Sequence, residues 1–149
     1  MPGLETMISL QGGCHCEAVK IEFSTANPVS STHPRACDCS FCQKHGAAYL
    51  SDSHGALLIA CNSSEDLLSY RQGSENAQFL MCVHCGVLVA VIFHQDAIVY
   101  GAVNAKCLDR FAEFSATETS SPQLLDATDK VSRWTKLWVT NVSFAYARQ

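Results

Sequence analysis

A mainly β fold with antiparallel pairing is what this sequence predicts, on three observations. Polar and apolar residues alternate with period two through Glu17-Ala18-Val19-Lys20-Ile21-Glu22-Phe23, the pattern of a half-buried strand. Two apolar runs, 87–93 and 97–103, flank the polar triplet His94-Gln95-Asp96 like the arms of a hairpin. Helical periodicity is weak throughout.

Taken in order, the elements are short. After the strand over 17–23, a short helix is expected near Ser40, carrying Cys42, Gln43 and Lys44. Ala56-Leu57-Leu58-Ile59-Ala60 and Ala77-Gln78-Phe79-Leu80-Met81 are apolar runs bounded by polar segments and read as strands. The hairpin follows, then a turn over 105–110. The polar stretch from Thr117 to Pro122 reads as a loop. Trp134 and Trp138 stand four apart, which suits one face of a helix or one side of a strand, and in either case the core. Internal repeats and low-complexity segments are absent.

Composition narrows the function classes. The chain has 149 residues, enough for one domain with a substantial core, and a single zinc-binding domain over 1–149 is the expectation developed below. Apolar residues make up 48 % and charged ones 16 %, an ordinary globular balance. Ten basic against fourteen acidic side chains leave a net charge of −4, which argues against a nucleic-acid partner. The run Val87 to Phe93 is too short to cross a bilayer, so no membrane role is expected. Met1-Pro2-Gly3-Leu4-Glu5 lacks the basic and apolar regions of a signal peptide, so the expected location is cytoplasmic. Disulfides are rare there, and nine cysteines need another explanation.

Their spacing supplies it. Cys14 and Cys16 form C-x-C; Cys37, Cys39 and Cys42 form C-x-C-x-x-C; Cys82 and Cys85 form C-x-x-C; Cys61 and Cys107 stand alone. Near neighbours resist bridging to one another, whereas one turn presents two thiolates to one ion with ease. In Cys82-Val83-His84-Cys85-Gly86 the glycine can take the positive φ that closes a zinc knuckle. Structural zinc takes four ligands, and Gly12-Gly13-Cys14-His15-Cys16 is the complement, its glycines letting the two thiols converge. Cys14, Cys16, Cys82 and Cys85 are therefore assigned to one closed site. His15 and His84 lie within the knuckles and point away from the metal.

Cys37-Asp38-Cys39-Ser40-Phe41-Cys42 offers three thiolates and no fourth cysteine nearby. Three protein ligands and an open position describe a catalytic zinc. Asp38, His45, Cys61 or Cys107 closing the site would make it structural instead. Cys61 and Cys107, each beside apolar residues, otherwise read as buried core thiols.

These three cysteine groups, in order, spacing and flanking glycines, resemble the glutathione-dependent formaldehyde-activating enzyme family, whose domain is shared with centromere protein V. The resemblance runs from about Leu10 to about Asp109. It implies a β-tent of small antiparallel sheets around two zinc sites: one held by Cys14, Cys16, Cys82 and Cys85, and a more labile one held by Cys37, Cys39 and Cys42. It further implies a carbon–sulfur lyase that joins glutathione to formaldehyde as S-(hydroxymethyl)glutathione. Cys39 and His45 are then the catalytic candidates, His45 as the acid for the developing alkoxide, and Lys44 and Arg71 are candidates for the glutathione carboxylates. The family often carries a basic residue after the last cysteine of the second group; here that residue is Gln43. Two other function classes fit the same residues. One is a scaffold in which both zincs are structural, and the other is a redox or metal-responsive protein in which the three-cysteine group loses zinc and oxidises.

Overall fold

In the computed structural model, which describes residues 7–71, 76–121 and 124–147, the chain is mainly β with two sheets. The segment Met1–Glu5 and Pro122, both used above, lie outside the described residues. β1 (Ile8–Gly13), β2 (Lys20–Thr25), β5 (Ala56–Cys61) and β11 (Asn141–Tyr146) make a four-stranded sheet in the order β1-β2-β5-β11. β10 (Glu118–Ser120), β3 (Arg35–Cys37), β4 (Tyr49–Leu50), β9 (Ile98–Asn104), β8 (Leu88–Gln95), β7 (Gln78–Cys82) and β6 (Leu67–Tyr70) make a seven-stranded sheet in that order.

Both sheets are mixed, where antiparallel pairing alone was expected. β11 runs parallel to β5 and β10 parallel to β3. Both of these strands come after the hairpin and return to an edge laid down early in the chain, so their direction is set by how the connecting chain travels rather than by any local pattern. The stretch expected to be a loop from Thr117 thus contains β10: its polar side chains suit an edge strand whose only pairing is with β3.

The hairpin forms between β8 and β9, two residues later than expected. His94 and Gln95 continue β8, and Gln95 pairs with Ile98. Asp96 (φ 52°) and Ala97 (φ 66°) make the turn, and two positive φ values match the right-handed twist of the strands they join. The strand expected over 17–23 begins only at Lys20, because Glu17 (φ 66°) is already committed to the cysteine turn before it.

β8 is buried from Leu88 to Phe93 because it is covered on both faces. Val89 and Ile92 join the core shared with Ile21, Leu57 and Ile59 of the four-stranded sheet. Leu88, Val91 and Phe93 join a second core under α1 (Ser40–His45) and α2 (Ala127–Leu137). The tryptophans decide for helix: Trp134 lies within α2 and Trp138 caps it, stacked at 4.8 Å, and Phe93 packs on both.

Candidate metal centres

The four thiols assigned to one site come together, and they do so across the two sheets. Cys14 follows β1 in one sheet, and Cys82 ends β7 in the other. The four sulfurs all lie within 4.8 Å of one another. Cys14 Sγ is 3.7 Å from Cys16 Sγ, which is 3.6 Å from Cys82 Sγ. A zinc–sulfur tetrahedron with bonds of about 2.3 Å has edges of about 3.8 Å, so these separations suit a thiolate-bound ion. A disulfide, with sulfurs about 2.05 Å apart, does not fit them.

Local structure explains how each pair converges. At the second pair, the Gly86 amide donates to the Cys82 carbonyl at 2.8 Å with φ at +80°, closing the turn as the sequence anticipated. The His84 amide donates to Cys82 Sγ at 3.4 Å, and the Val19 amide to Cys14 Sγ at 3.3 Å. Amide donors of this kind orient each sulfur within its turn. Gly12 and Gly13 serve a different purpose from the one expected. Their φ values need no glycine, but a Cβ on Gly12 would stand 2.0 Å from the Cys107 carbonyl oxygen, and one on Gly13 would stand 2.5 Å from that of Val19. They are there for close backbone approach. His84 turns outward, its Nε2 at 2.8 Å from Asp66 Oδ1.

Cys37, Cys39 and Cys42 also converge, with their sulfurs within 4.8 Å of one another. Cys37 ends β3, and Cys39 caps α1, its sulfur accepting the Cys42 amide at 3.4 Å. Gly46, at φ 61°, terminates the helix after one and a half turns. The Asp38 amide donates to the Ser120 carbonyl at 2.9 Å, and Gln43 Nε2 donates to the Asp38 carbonyl at 2.6 Å. Gln43, standing where the family often has a basic residue, thus braces the loop that carries the three thiols.

Among the described residues, no fourth cysteine, histidine or carboxylate joins this group. Asp38 Oδ2 accepts from Ser121 Oγ at 2.6 Å, while the His45 ring packs on Phe41 at 4.5 Å. Cys61 Sγ donates to the Ser63 carbonyl, and Cys107 Sγ to that of Leu88. Cys42 is buried, whereas Cys37 and Cys39 are partly exposed, so the group faces outward on one side.

Sequence reasoning missed Tyr49. Its hydroxyl is 3.1 Å from Cys42 Sγ, brought there by β4, a strand too short to leave a period. Lys44 and His45 sit exposed on α1, and Arg71 is exposed just after β6, where Tyr70 stacks on Phe41 at 5.2 Å.

Without metal, charge is shared unevenly in each group. The hydrogen bond from Cys42, helped by the backbone and thiol of Cys39, holds Cys37 down at about 6 against burial and the charge of Asp38. Donating that bond, together with burial, pushes Cys42 well above the thiol range. Burial first, then the charge of Cys42, also raises Tyr49. In the other group burial raises Cys85, but hydrogen bonds from the backbone of Cys16 and Val87 and from the thiols of Cys14 and Cys16 leave it at about 6. A backbone bond from Ala18 lowers Cys16, yet burial and its bonds to Cys82, Cys14 and Cys85 push it up to about 12. Such a donor set, sulfurs crowded within 4.8 Å of one another, fits a divalent ion that relieves the repulsion of full ionisation. Both groups can hold a metal ion.

Comparison with known proteins agrees with this geometry. A search of the curated proteins finds no match. Among solved structures, the crystal structure of a Rhodobacter sphaeroides protein, a structural-genomics target, is 25 % identical with a TM-score of 0.51. The similarity covers 91 % of this chain and 99 % of that one. The family model described as glutathione-dependent formaldehyde-activating enzyme matches residues 9–123, reaching past Asp109 to take in β10. With seven cysteines gathered into two groups and this match over most of its length, the chain belongs to the glutathione-dependent formaldehyde-activating enzyme family.

Proposed function

We propose that the protein is a cytoplasmic zinc-dependent carbon–sulfur lyase, one domain over 1–149, that adds a small thiol such as glutathione to an aldehyde such as formaldehyde. The observation that carries this reading is the three-thiol group of Cys37, Cys39 and Cys42, which no fourth ligand closes among the described residues. Cys14, Cys16, Cys82 and Cys85 would hold a structural zinc that ties one sheet to the other. At the three-thiol group zinc would lower the pKa of an incoming thiol, so that thiolate is available at neutral pH. The thiolate sulfur donates its electron pair to the aldehyde carbon, a carbon–sulfur bond forms, and the carbonyl π pair moves to oxygen.

His45 is the proposed acid. It lies on the same short helix as Cys42 and is solvent-exposed, so it can give a proton to the alkoxide and regain one from water. Cys39 caps that helix and is the central ligand of the three. Lys44 on α1, and Arg71 after the Tyr70 that stacks on Phe41, are proposed to meet a glutathione carboxylate. Membrane or nucleic-acid partners form no part of this reading.

Cobalt substitution tests it. A new thiolate ligand changes the charge-transfer absorption of cobalt, so added glutathione should alter the spectrum of the protein, and Cys39→Ser should abolish that response. A spectrum that ignores glutathione and other small thiols, while Cys39→Ser still loses its metal, would mean a closed structural site.

A further inference from the structure

Beside the three-thiol group lies a cavity of 320 Å³ lined by Arg35, Arg133, Leu125, the β10 residues Glu118 to Ser120 and Ser121 just after them. Two guanidiniums share it, and neither has a carboxylate partner among the described residues. Arg35, half-buried, donates through Nη2 to Ser51 Oγ at 2.9 Å. Glu118, on the cavity wall, has its carboxylate 3.4 Å from His33 Nδ1. Two cations facing one space repel each other unless an anion lies between them, and a guanidinium fork suits a carboxylate.

The cavity is joined to the thiol group by strand register. Ser120, in its wall, pairs with Cys37, and Glu118 pairs with Arg35. Arg35 and Cys37 are two residues apart on β3, so their side chains leave the same face about 7 Å apart along the strand. A carboxylate one or two extended residues from a thiol spans a comparable distance.

We propose that this cavity is the carboxylate subsite for the thiol substrate, with Arg35 and Arg133 gripping one carboxylate of glutathione while its sulfur lies at Cys37, Cys39 and Cys42. This rests on the thiol-adduct reading above and adds to it the residues that select a peptidic thiol over a neutral one. Thr119, Ser120 and Ser121 line the same wall with hydroxyls and strand backbone, suited to a peptide rather than to a bare inorganic anion.

The test uses S-methylglutathione, which keeps both carboxylates but presents no thiolate. Its binding to the zinc-loaded protein is followed by calorimetry. Arg133→Gln, on the exposed side of α2, and Arg35→Gln should each weaken binding about tenfold, the size expected for loss of a charged hydrogen bond. Lys136→Gln on the same helix should leave it unchanged. A wild-type protein that does not bind S-methylglutathione, or arginine variants that bind it as the wild type does, overturns the subsite. The two readings fail separately. Arginine-dependent binding of S-methylglutathione, with a cobalt spectrum indifferent to glutathione, keeps the subsite and removes the thiol-ligation step. A cobalt response to glutathione that both arginine variants retain at wild-type affinity removes the subsite alone.

Discussion

The hydroxyl of Tyr49 lies 3.1 Å from the sulfur of Cys42, and both residues are buried. Of the three clustered thiols, Cys42 is the one most shielded from water, and Tyr49 is its side-chain hydrogen-bond partner from outside the cluster. Partners of this kind orient a ligand and tune its basicity. Tyr49→Phe keeps the ring and removes the hydroxyl. It should leave the fold and the four-cysteine group intact while the three-cysteine group gives up metal about tenfold more readily. Competition with a chromophoric chelator measures this. Equal release from Tyr49→Phe and wild type would show that the ring only packs.

Cys61 and Cys107 should be dispensable for metal. Each donates to a backbone carbonyl, Cys61 to Ser63 at 3.2 Å and Cys107 to Leu88 at 3.3 Å. Burial, then the charge of Asp66, raises Cys61; burial, then the charges of Cys14 and Cys85, pushes Cys107 up to about 12. Neither sulfur joins either group of clustered thiols. The double variant Cys61→Ala, Cys107→Ala should retain the full metal content by elemental analysis, at a cost of about 1 kcal/mol per lost hydrogen bond. Loss of one metal equivalent would place one of them in a site.

Gly12 and Gly86 should respond differently to alanine. At Gly12 the added Cβ would meet backbone at 2.0 Å and 2.8 Å, where Leu108 bridges to it. Backbone cannot rotate aside, so Gly12→Ala should destabilise by about 3 kcal/mol or more and disturb the adjoining Cys14. At Gly86 nothing lies within 4 Å, and only the positive φ resists. Gly86→Ala should cost about 1–2 kcal/mol. Chemical denaturation of the two variants side by side decides it; similar losses would refute the close-approach account.

Asp66 couples the second cysteine turn to β6. Its Oδ1 lies 2.8 Å from His84 Nε2, and its Oδ2 accepts the Ser63 amide at 3.0 Å. The bond from His84 first, then those from Ser63, holds the Asp66 carboxyl below its ordinary value. A carboxyl lowered by folding stabilises the fold above its unfolded value of about 4, and that contribution is lost as pH falls through the lower folded value. Asp66→Asn should therefore melt below wild type at neutral pH, with the gap closing under acid. Melting curves from neutral pH downward test the sign, and a gap that widens under acid would contradict it.

Much of the site was legible because the grouping of thiols is local. Cys37-Asp38-Cys39 and Cys82-Val83-His84-Cys85 bring their thiols together by covalent spacing, and a glycine at position 86 announces the turn that does it. The hairpin was legible too, since two apolar runs around a polar triplet leave few alternatives, although its turn proved to be Asp96-Ala97. β10 was not legible: three polar residues carry no period, and their strand character comes only from pairing with β3.

By itself, then, the sequence determined the grouping of seven cysteines, the mainly β class and the family, because spacing and period are properties of the nearby chain. Tertiary structure decided what depends on distant residues meeting. It brought Cys14 of one sheet to Cys82 of the other, and gave Asp38 the hydroxyl of Ser121 as a partner. It set Tyr49 against Cys42 and gathered Arg35 and Arg133 around one cavity. These meetings follow from strand order, direction and register, and no local pattern in the chain encodes them.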